Sequence, residues 1–417
     1  MTVFSVRNFG CRVNRAEAFS WSEKLQDGGF VEDDDWTRSD LILVNSCTLT
    51  GRADRDVRRF VRRAGRDNPE ARIVVTGCLA ERSPETFNGI PQVWMVLPNG
   101  AKEELAERVL AEFPNPAPAS APRVRRGRAV LKVQDGCESR CAFCVIPSVR
   151  GPGRSLPHRD ALASAADLVG RGYREVVLAG INLASYGRDL DPPSSLVRLA
   201  EETARIPGVA RVRLSSLDPR ALSDDDIRRL AQNPRICPHF HLSLQHASDA
   251  VLERMNRGRT ASRQADILDA LRRLSPDAAL GADFLVGFPG ETDDEFEALY
   301  AFASASVLSY FHVFAFSPRT GTPAAAINGH VSDTVKTERA VRLRRLSGEK
   351  SRIFRERFRG CVRPGVVIGC RSGGCAVLMD NYIEVEVPSC SAPLGDAVDV
   401  RVTSVSPRGT RGEIVSR

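Results

Sequence analysis

The chain has 417 residues, 42% of them hydrophobic and 27% charged, and a formal charge of +7 from 59 Lys and Arg against 52 Asp and Glu. At roughly 150 residues per domain this gives two to three domains, which excludes a disulfide-stapled mini-protein; the composition and a mean hydropathy of -0.22 also exclude a disordered or fibrous chain. The opening MTVFSVRNFGCRVNR lacks an apolar signal core, and no run approaches the roughly 18 uncharged apolar residues of a membrane span. The expectation is a cytoplasmic protein with no membrane partner. In a reducing compartment its 11 cysteines read first as metal or redox groups, not as a disulfide framework.

Ahead of residue 113, the β-branched runs LILVNS (41–46) and RIVVTG (72–77) alternate with helix-period segments at Ala53 to Arg66 and Lys102 to Glu112. That alternation predicts a doubly wound α/β domain over 1–112. The segment FPNPAPASAP, 113–122, has four prolines and predicts a linker. Six strand-like runs follow, at AVLKVQ (129), VVLAGI (176), RVRLSS (211), HFHLSLQ (239), ALGADFLVGF (279) and FHVFAFS (311), and helix-like sequence follows each of the first five. They predict a six-fold β/α barrel, closed or open, over 123–330, with its chemistry at the C-terminal strand ends. A charged helical connector, 331–359, leads to short runs punctuated by Gly, Pro and Ser over 360–417, which predict a small antiparallel β-barrel.

The strongest local pattern is Cys137-Glu-Ser-Arg-Cys141-Ala-Phe-Cys144, just after the first barrel strand. Three thiolates within eight residues can hold an iron-sulfur cluster that normally takes four, leaving one iron open for a substrate. A zinc knuckle would need a second Cys or His pair, and none follows. Cys11, Cys47 and Cys78 each sit in a loop, and two of them directly follow predicted parallel strands, where doubly wound sheets place ligands. Singly each reads as a small buried residue; together they read as a second cluster.

The Cys137–Cys144 spacing at the end of a first barrel strand resembles the radical S-adenosylmethionine (SAM) superfamily. With KVQDGCESRCAFCVIPSVRGPGRS and the three cysteine loops, the whole chain resembles the methylthiotransferase family: α/β domain, radical SAM (βα)6 partial barrel, and a terminal β-barrel of the TRAM type. NFGCRVN, VNSCTLTGRADRDVRR, AGINLASYGRDL, RLSSLDP and VGFPGETDDEF are most similar to the bacterial threonylcarbamoyladenosine tRNA branch. The resemblance implies two 4Fe-4S clusters, with Cys137, Cys141 and Cys144 holding the cluster that cleaves SAM and Cys11, Cys47 and Cys78 holding an auxiliary one. It implies that one SAM supplies a methyl group to a sulfur at the auxiliary cluster. Another yields a 5'-deoxyadenosyl radical that takes hydrogen from C2 of an adenosine, a carbon whose C–H is beyond side-chain acid-base chemistry.

The implied activity is conversion of N6-threonylcarbamoyladenosine at position 37 of tRNA to its 2-methylthio form. Isopentenyladenosine in tRNA, a ribosomal-protein aspartate as acceptor, and a non-catalytic iron-sulfur RNA-binding or sensor protein are the alternatives. The partners are then tRNA, a low-potential electron donor such as flavodoxin or ferredoxin, and an unidentified sulfur donor.

For SAM, the strand ends offer Gly180 and Asn182, Ser215 and Ser216, and Gln245, with Asp283 inside the fifth strand. Glu291, in GFPGET, reads as an acid placed near a positive helix end. His239 and His241 share one face of their strand with Cys237, and His246 takes the other, which argues against a metal site there. Ser243-Leu244-Gln245-His246-Ala247 stands where the family usually has Pro-Leu-Gln-Ser-Gly. Cys361, Cys370, Cys375 and Cys390 read as small hydrophobes of the terminal barrel. Between Ser332 and Arg371 twelve Lys or Arg face four acids, a net +8 that leaves the rest of the chain at -1 and marks a candidate RNA footprint. A second arginine stripe runs through Arg52, Arg55, Arg58, Arg59, Arg62, Arg63 and Arg66. Tyr382 and Ile383 are candidates for RNA contact or for barrel core.

Overall fold

The apolar runs at 41–46 and 72–77 become the middle of a five-stranded parallel sheet. The structure, a computed structural model, describes residues 2–113, 126–258, 261–371 and 373–416; the expected linker at 113–122 therefore lies, after its first residue, outside the described residues. Contacts divide the chain into two compact units, and the division does not follow chain order: the first unit is Met1–Pro122, Asp135–Arg154 and Ser317–Ala325, and the remainder forms the second.

The first unit begins with β1 (Val3–Asn8), α1 (Arg12–Asp27), β2 (Val31–Glu32), β3 (Leu41–Ser46) and α2 (Gly51–Asp67). It continues with β4 (Arg72–Gly77), α3 (Cys78–Arg82), β5 (Val93–Val96) and α4 (Leu105–Glu112). The sheet order is β2-β1-β3-β4-β5, with every pairing parallel. All six residues of β3 are buried, because alternate side chains feed two different layers. Leu41 and Leu43 pack with Trp21 and Leu25 of α1 and with Leu105 and Val109 of α4. Ile42 and Val44 pack with Val57 and Val61 of α2. The Thr50 hydroxyl caps α2 by accepting from the Ala53 N–H.

The barrel strands are β6 (Ala129–Asp135), β8 (Glu175–Gly180), β9 (Arg211–Leu214), β10 (His239–Gln245), β11 (Ala279–Val286) and β12 (Tyr310–Ala315), so all six predicted runs form strands. Between β6 and β8 come α5 (Ile146–Arg150), β7 (Arg154–Ser155) and α6 (His158–Gly170). Further on, α7 (Leu196–Arg205), α8 (Asp224–Gln232), α9 (Asp249–Arg254), α10 (Ala261–Leu274) and α11 (Asp293–Ala305) complete the alternation. The strands fall into two sheets, β7-β6-β8-β9 and β10-β11-β12. Single parallel bridges at Val212–Ile236 and Leu217–Leu242 join them, and among the described residues β6 and β12 do not pair, so the barrel is partial. Its core is a single apolar cluster from Val133 through Leu346.

The connector is the helix α12 (Asp333–Glu356), capped by Ser332. The closed terminal barrel that follows contains β13 (Val362–Arg371), β14 (Gly374–Met379), β15 (Glu384–Pro388), β16 (Ala397–Ser406) and β17 (Gly409–Ser416), ordered β13-β14-β15-β17-β16. One pairing departs from the antiparallel expectation: β15 and β17 run parallel, because the β16–β17 hairpin brings β17 back in the direction of β15. The reading of all four terminal cysteines as lone hydrophobes also needs correction. Cys375 on β14 and Cys390 beyond β15 form a disulfide with Cα atoms 5.6 Å apart, since strand pairing sets Cys375 opposite Val387, three residues short of Cys390. Ile383 is core.

Glu175 holds the barrel's polar interior to these terminal strands. Its carboxylate pairs with Arg211 Nε at 2.5 Å and with Arg213 Nε at 2.7 Å. Those guanidiniums in turn donate to the carbonyls of Pro364, Leu378, Met379 and Asp380. Burial alone would raise the Glu175 pKa, but Arg213 and Arg211 hold the carboxyl well below the usual range.

Candidate active site

The first cysteine trio is placed by sheet order. β1, β3 and β4 are neighbours, and Cys11, Cys47 and Cys78 follow their C-terminal ends: Cys11 caps α1, Cys47 directly succeeds β3, and Cys78 opens α3. Gly77 takes φ +93°, and a Cβ there would press on the Ser46 carbonyl and Asn45 Oδ1, so glycine lets the Cys47 and Cys78 loops close on each other. The Ser46 hydroxyl accepts from the N–H groups of Leu79 and Ala80 and ties the same two loops. Burial, followed by the nearness of Cys78 and Cys11, pushes the Cys47 thiol up to about 12; burial also raises Cys11. Crowded, buried thiols of this kind lose their protons to a metal, so the donor set fits a thiolate-bound cluster.

The second trio occupies one loop. Cys141 is buried, Cys137 and Cys144 partly so, and the loop turns through Arg140 at φ +48°. The Cys137 N–H donates to the Gly151 carbonyl at 3.1 Å, closing the loop, and the Ser139 N–H donates to Cys137 Sγ at 3.4 Å. A Cβ on Gly136 would collide with the Pro152 carbonyl. Neither trio meets the spacing for a single ion. Among the described residues, only His241, Asp283 and His312 form a group of three with ligand atoms within 4.8 Å of one another. A four-iron cube needs its cysteines further apart than one coordination sphere.

Around the cysteines lies a charged network that sequence reading missed. The fully buried Arg150 donates from Nη1 to Glu17 at 2.9 Å and to Asp135 at 2.8 Å, from Nη2 to Asn14 Oδ1 at 3.1 Å, and from Nε to Cys78 Sγ at 3.3 Å. Lys102 Nζ meets Glu17 at 2.6 Å. Burial works against the Arg150 charge, but Glu17, Cys78 and Asp135 overcome it and hold the guanidinium protonated. The same unit includes Arg319, which reaches Thr48 at 2.5 Å and Asp54 at 2.6 Å and so braces the loop after Cys47. No local spacing in the sequence links these residues, which lie as far as 271 positions apart.

In the second unit, most of the SAM candidates stand at strand ends. The Gly180 N–H donates to Ser215 Oγ at 3.4 Å, and the Asn182 N–H donates to Gln134 Oε1 at 2.8 Å. A Cβ on Gly180 would lie 3.0 Å from Gln134 Cβ and from the Leu183 Cα, tighter than ordinary contact. Ser216 follows Ser215 beyond the end of β9, and Gln245 ends β10 at φ +73°. Asp283 is different: it lies three residues before the end of β11, and its Oδ1 accepts from His241 Nε2 at 2.9 Å and His312 Nδ1 at 3.2 Å. Those bonds outweigh burial and hold its carboxyl far down. His246 and Glu291 are both fully buried, with Nε2 and Oε2 3.6 Å apart. Glu291 does not serve the helix end: it accepts from the N–H groups of Gly287 and Phe288 and pairs with Arg339, while Thr292 and Glu295 cap α11.

Two family models match the chain: "Radical SAM superfamily" over residues 131–303, and "Uncharacterized protein family UPF0004" over 3–97. The threonylcarbamoyladenosine tRNA methylthiotransferase MtaB of Bacillus subtilis is 32% identical over all of this chain and 97% of its own length. The chain belongs to the radical SAM methylthiotransferase family. A second methylthiotransferase relative, the tRNA-2-methylthio-N(6)-dimethylallyladenosine synthase of Parafrankia, is 34% identical over 84% of the chain and 74% of its own length. In fold, the methylthiotransferase chain is similar to the radical SAM methyltransferase TsrM of Kitasatospora setae, a structure with cobalamin and a [4Fe-4S] cluster bound (TM-score 0.56, 14% identity, 78% of this chain and 77% of that one).

The basic surfaces need re-weighting. In α12, Arg339 pairs with Glu291 and Asp293, and Arg342 with Glu297. Arg344, Lys350, Arg355 and Arg357 donate to backbone carbonyls, and Arg363 pairs with Asp380 and Asp277. These seven of the twelve basic residues of the segment thus have such partners, while Arg342, Arg344, Arg345, Arg352, Arg357 and Arg359 stay exposed. On α2, Arg52, Arg55, Arg59, Arg62 and Arg66 are exposed at helical spacing. Tyr382 is half-buried and stacks on His239 with centroids 4.0 Å apart.

Proposed function

We propose that this chain methylthiolates C2 of N6-threonylcarbamoyladenosine at position 37 of tRNA. The observation that carries the reading is one compact unit holding two separate cysteine trios, one on three neighbouring strand ends and one in a single loop. Radical generation needs only the loop; a sulfur-transferring enzyme needs a second site. Full-length similarity to a threonylcarbamoyladenosine enzyme supports the choice of nucleoside.

In this reading Cys137, Cys141 and Cys144 hold the 4Fe-4S cluster that meets SAM, and Cys11, Cys47 and Cys78 hold the auxiliary 4Fe-4S cluster. Bound there, the two clusters and SAM supply the electron, the hydrogen-abstracting radical and the methylthio sulfur. The chain's own residues hold and orient. Gly180, Asn182, Ser215, Ser216, Gln245 and Asp283 are assigned to SAM, with Asp283 held in place by His241 and His312. Residues 1–112 form the auxiliary-cluster domain, 123–330 the radical SAM barrel, 331–359 the connector and 360–417 the TRAM-like barrel. The exposed α2 arginines meet the RNA backbone. A low-potential flavodoxin or ferredoxin delivers electrons, and the work takes place in the cytoplasm.

Nucleoside mass spectrometry of tRNA from cells lacking the protein tests the proposal. The 2-methylthio form of N6-threonylcarbamoyladenosine should vanish and its precursor accumulate. Loss of a methylthiolated isopentenyladenosine instead would reassign the substrate, and no change in either would remove tRNA as the acceptor.

A further inference from the structure

We infer that Arg150 sets the reduction potential of the auxiliary cluster, an inference that rests on reading Cys11, Cys47 and Cys78 as its ligands. Arg150 lies six residues beyond Cys144, on the short helix that closes the other cysteine loop, yet its guanidinium is directed at the first trio. Nε donates to Cys78 Sγ at 3.3 Å. Nη2 donates to Asn14 Oδ1, the atom that also accepts from Cys11 Sγ at 3.2 Å. One buried cation therefore touches one ligand sulfur directly, and the same guanidinium holds Asn14, which lies beside Cys11.

A purely structural ion pair does not require this arrangement. Glu17 already has Lys102 at 2.6 Å, and Arg150 adds Asp135, so two carboxylates and two cations are in place without any bond to sulfur. Those carboxylates fix the fork through Nη1 and Nη2 and leave Nε aimed at Cys78. A planar guanidinium can make all of these bonds at once, whereas an ammonium cannot. Hydrogen bonds to cluster sulfurs and nearby positive charge in a low-dielectric site favour the reduced, more negative cluster and so raise its potential. The loop of the SAM-cleaving cluster thus supplies the group that tunes the sulfur-bearing one.

The test uses the full reconstituted chain: wild type, Arg150→Lys, Arg150→Gln and Cys78→Ala, with iron analysis and a redox titration followed by electron paramagnetic resonance. Both Arg150 variants should keep about eight irons. The auxiliary midpoint should move negative in Arg150→Gln and less so in Arg150→Lys, while the other cluster's midpoint stays fixed. An unmoved auxiliary midpoint in an iron-replete Arg150→Gln would overturn the inference, as would iron loss in both variants, which would make Arg150 merely structural. Should Arg150→Gln fail to fold because Glu17 is left under-compensated, Arg150→Gln combined with Glu17→Gln takes its place. Cys78→Ala should drop to about four irons; if it keeps eight, the ligand assignment beneath the inference fails instead.

Discussion

At the scale of single residues, the proposed reading gives the two cysteine trios of one compact unit different work. Cys144→Ala should abolish SAM cleavage, measured as 5'-deoxyadenosine under anaerobic reduction. Cys78→Ala should leave part of that cleavage and block methylthiolation; equal loss of both would end the division of labour. Glu175 gives a pH prediction. Its carboxyl titrates below the free-glutamate value in the folded chain, so its stabilisation is complete above about pH 4.3 and drains away as acid lowers the pH below that point. Glu175→Gln leaves Arg211 and Arg213 buried without their counter-charge and should cost about 3–5 kcal/mol near neutral pH. The variant's denaturant midpoint should also fall less steeply than wild type below pH 4. Parallel acid curves for the two proteins would refute the assignment.

At the scale of elements, the proposed RNA contact on α2 can be separated from the ion pairs of α12. Both are arginine-rich and both leave arginines exposed, but α12 also buries Arg339 against Glu291 and Asp293, while Arg55, Arg59 and Arg62 of α2 are all exposed. Reversing those three to Glu should weaken tRNA binding and flatten its salt dependence by about 0.7–0.9 in log-log slope per lost phosphate contact, with SAM cleavage intact. Arg339→Ala should instead act on stability, by about 3–5 kcal/mol, because it leaves Glu291 buried without its cation. A thermal melt of Arg339→Ala beside a filter-binding titration of the α2 variant separates the two effects. Equal loss of RNA affinity in both would return the footprint to α12.

At the scale of the whole molecule, the reconstituted chain should hold about eight irons in two four-iron clusters; about four, with zinc replacing the rest, would undo the reading of the first unit. The architecture was legible in the sequence because hydrophobic periodicity is local: LILVNS, RIVVTG and the six barrel runs announce parallel strands before any fold is known. The cysteine trios were legible for the same reason, as fixed spacings beside strand ends. Partnership was not legible. Arg150 meets Cys78 across 72 residues, Arg319 meets Asp54 across 265, and His241 shares Asp283 with His312. Cys375 finds Cys390 only because β14 and β15 pair. Sequence by itself determined the strand and helix grammar, the spacing of the cysteines and the family. Only the tertiary structure decided which charges are paired, which remain on the surface, and which cation reaches a cysteine sulfur, because charge pairing depends on distances that chain order does not encode.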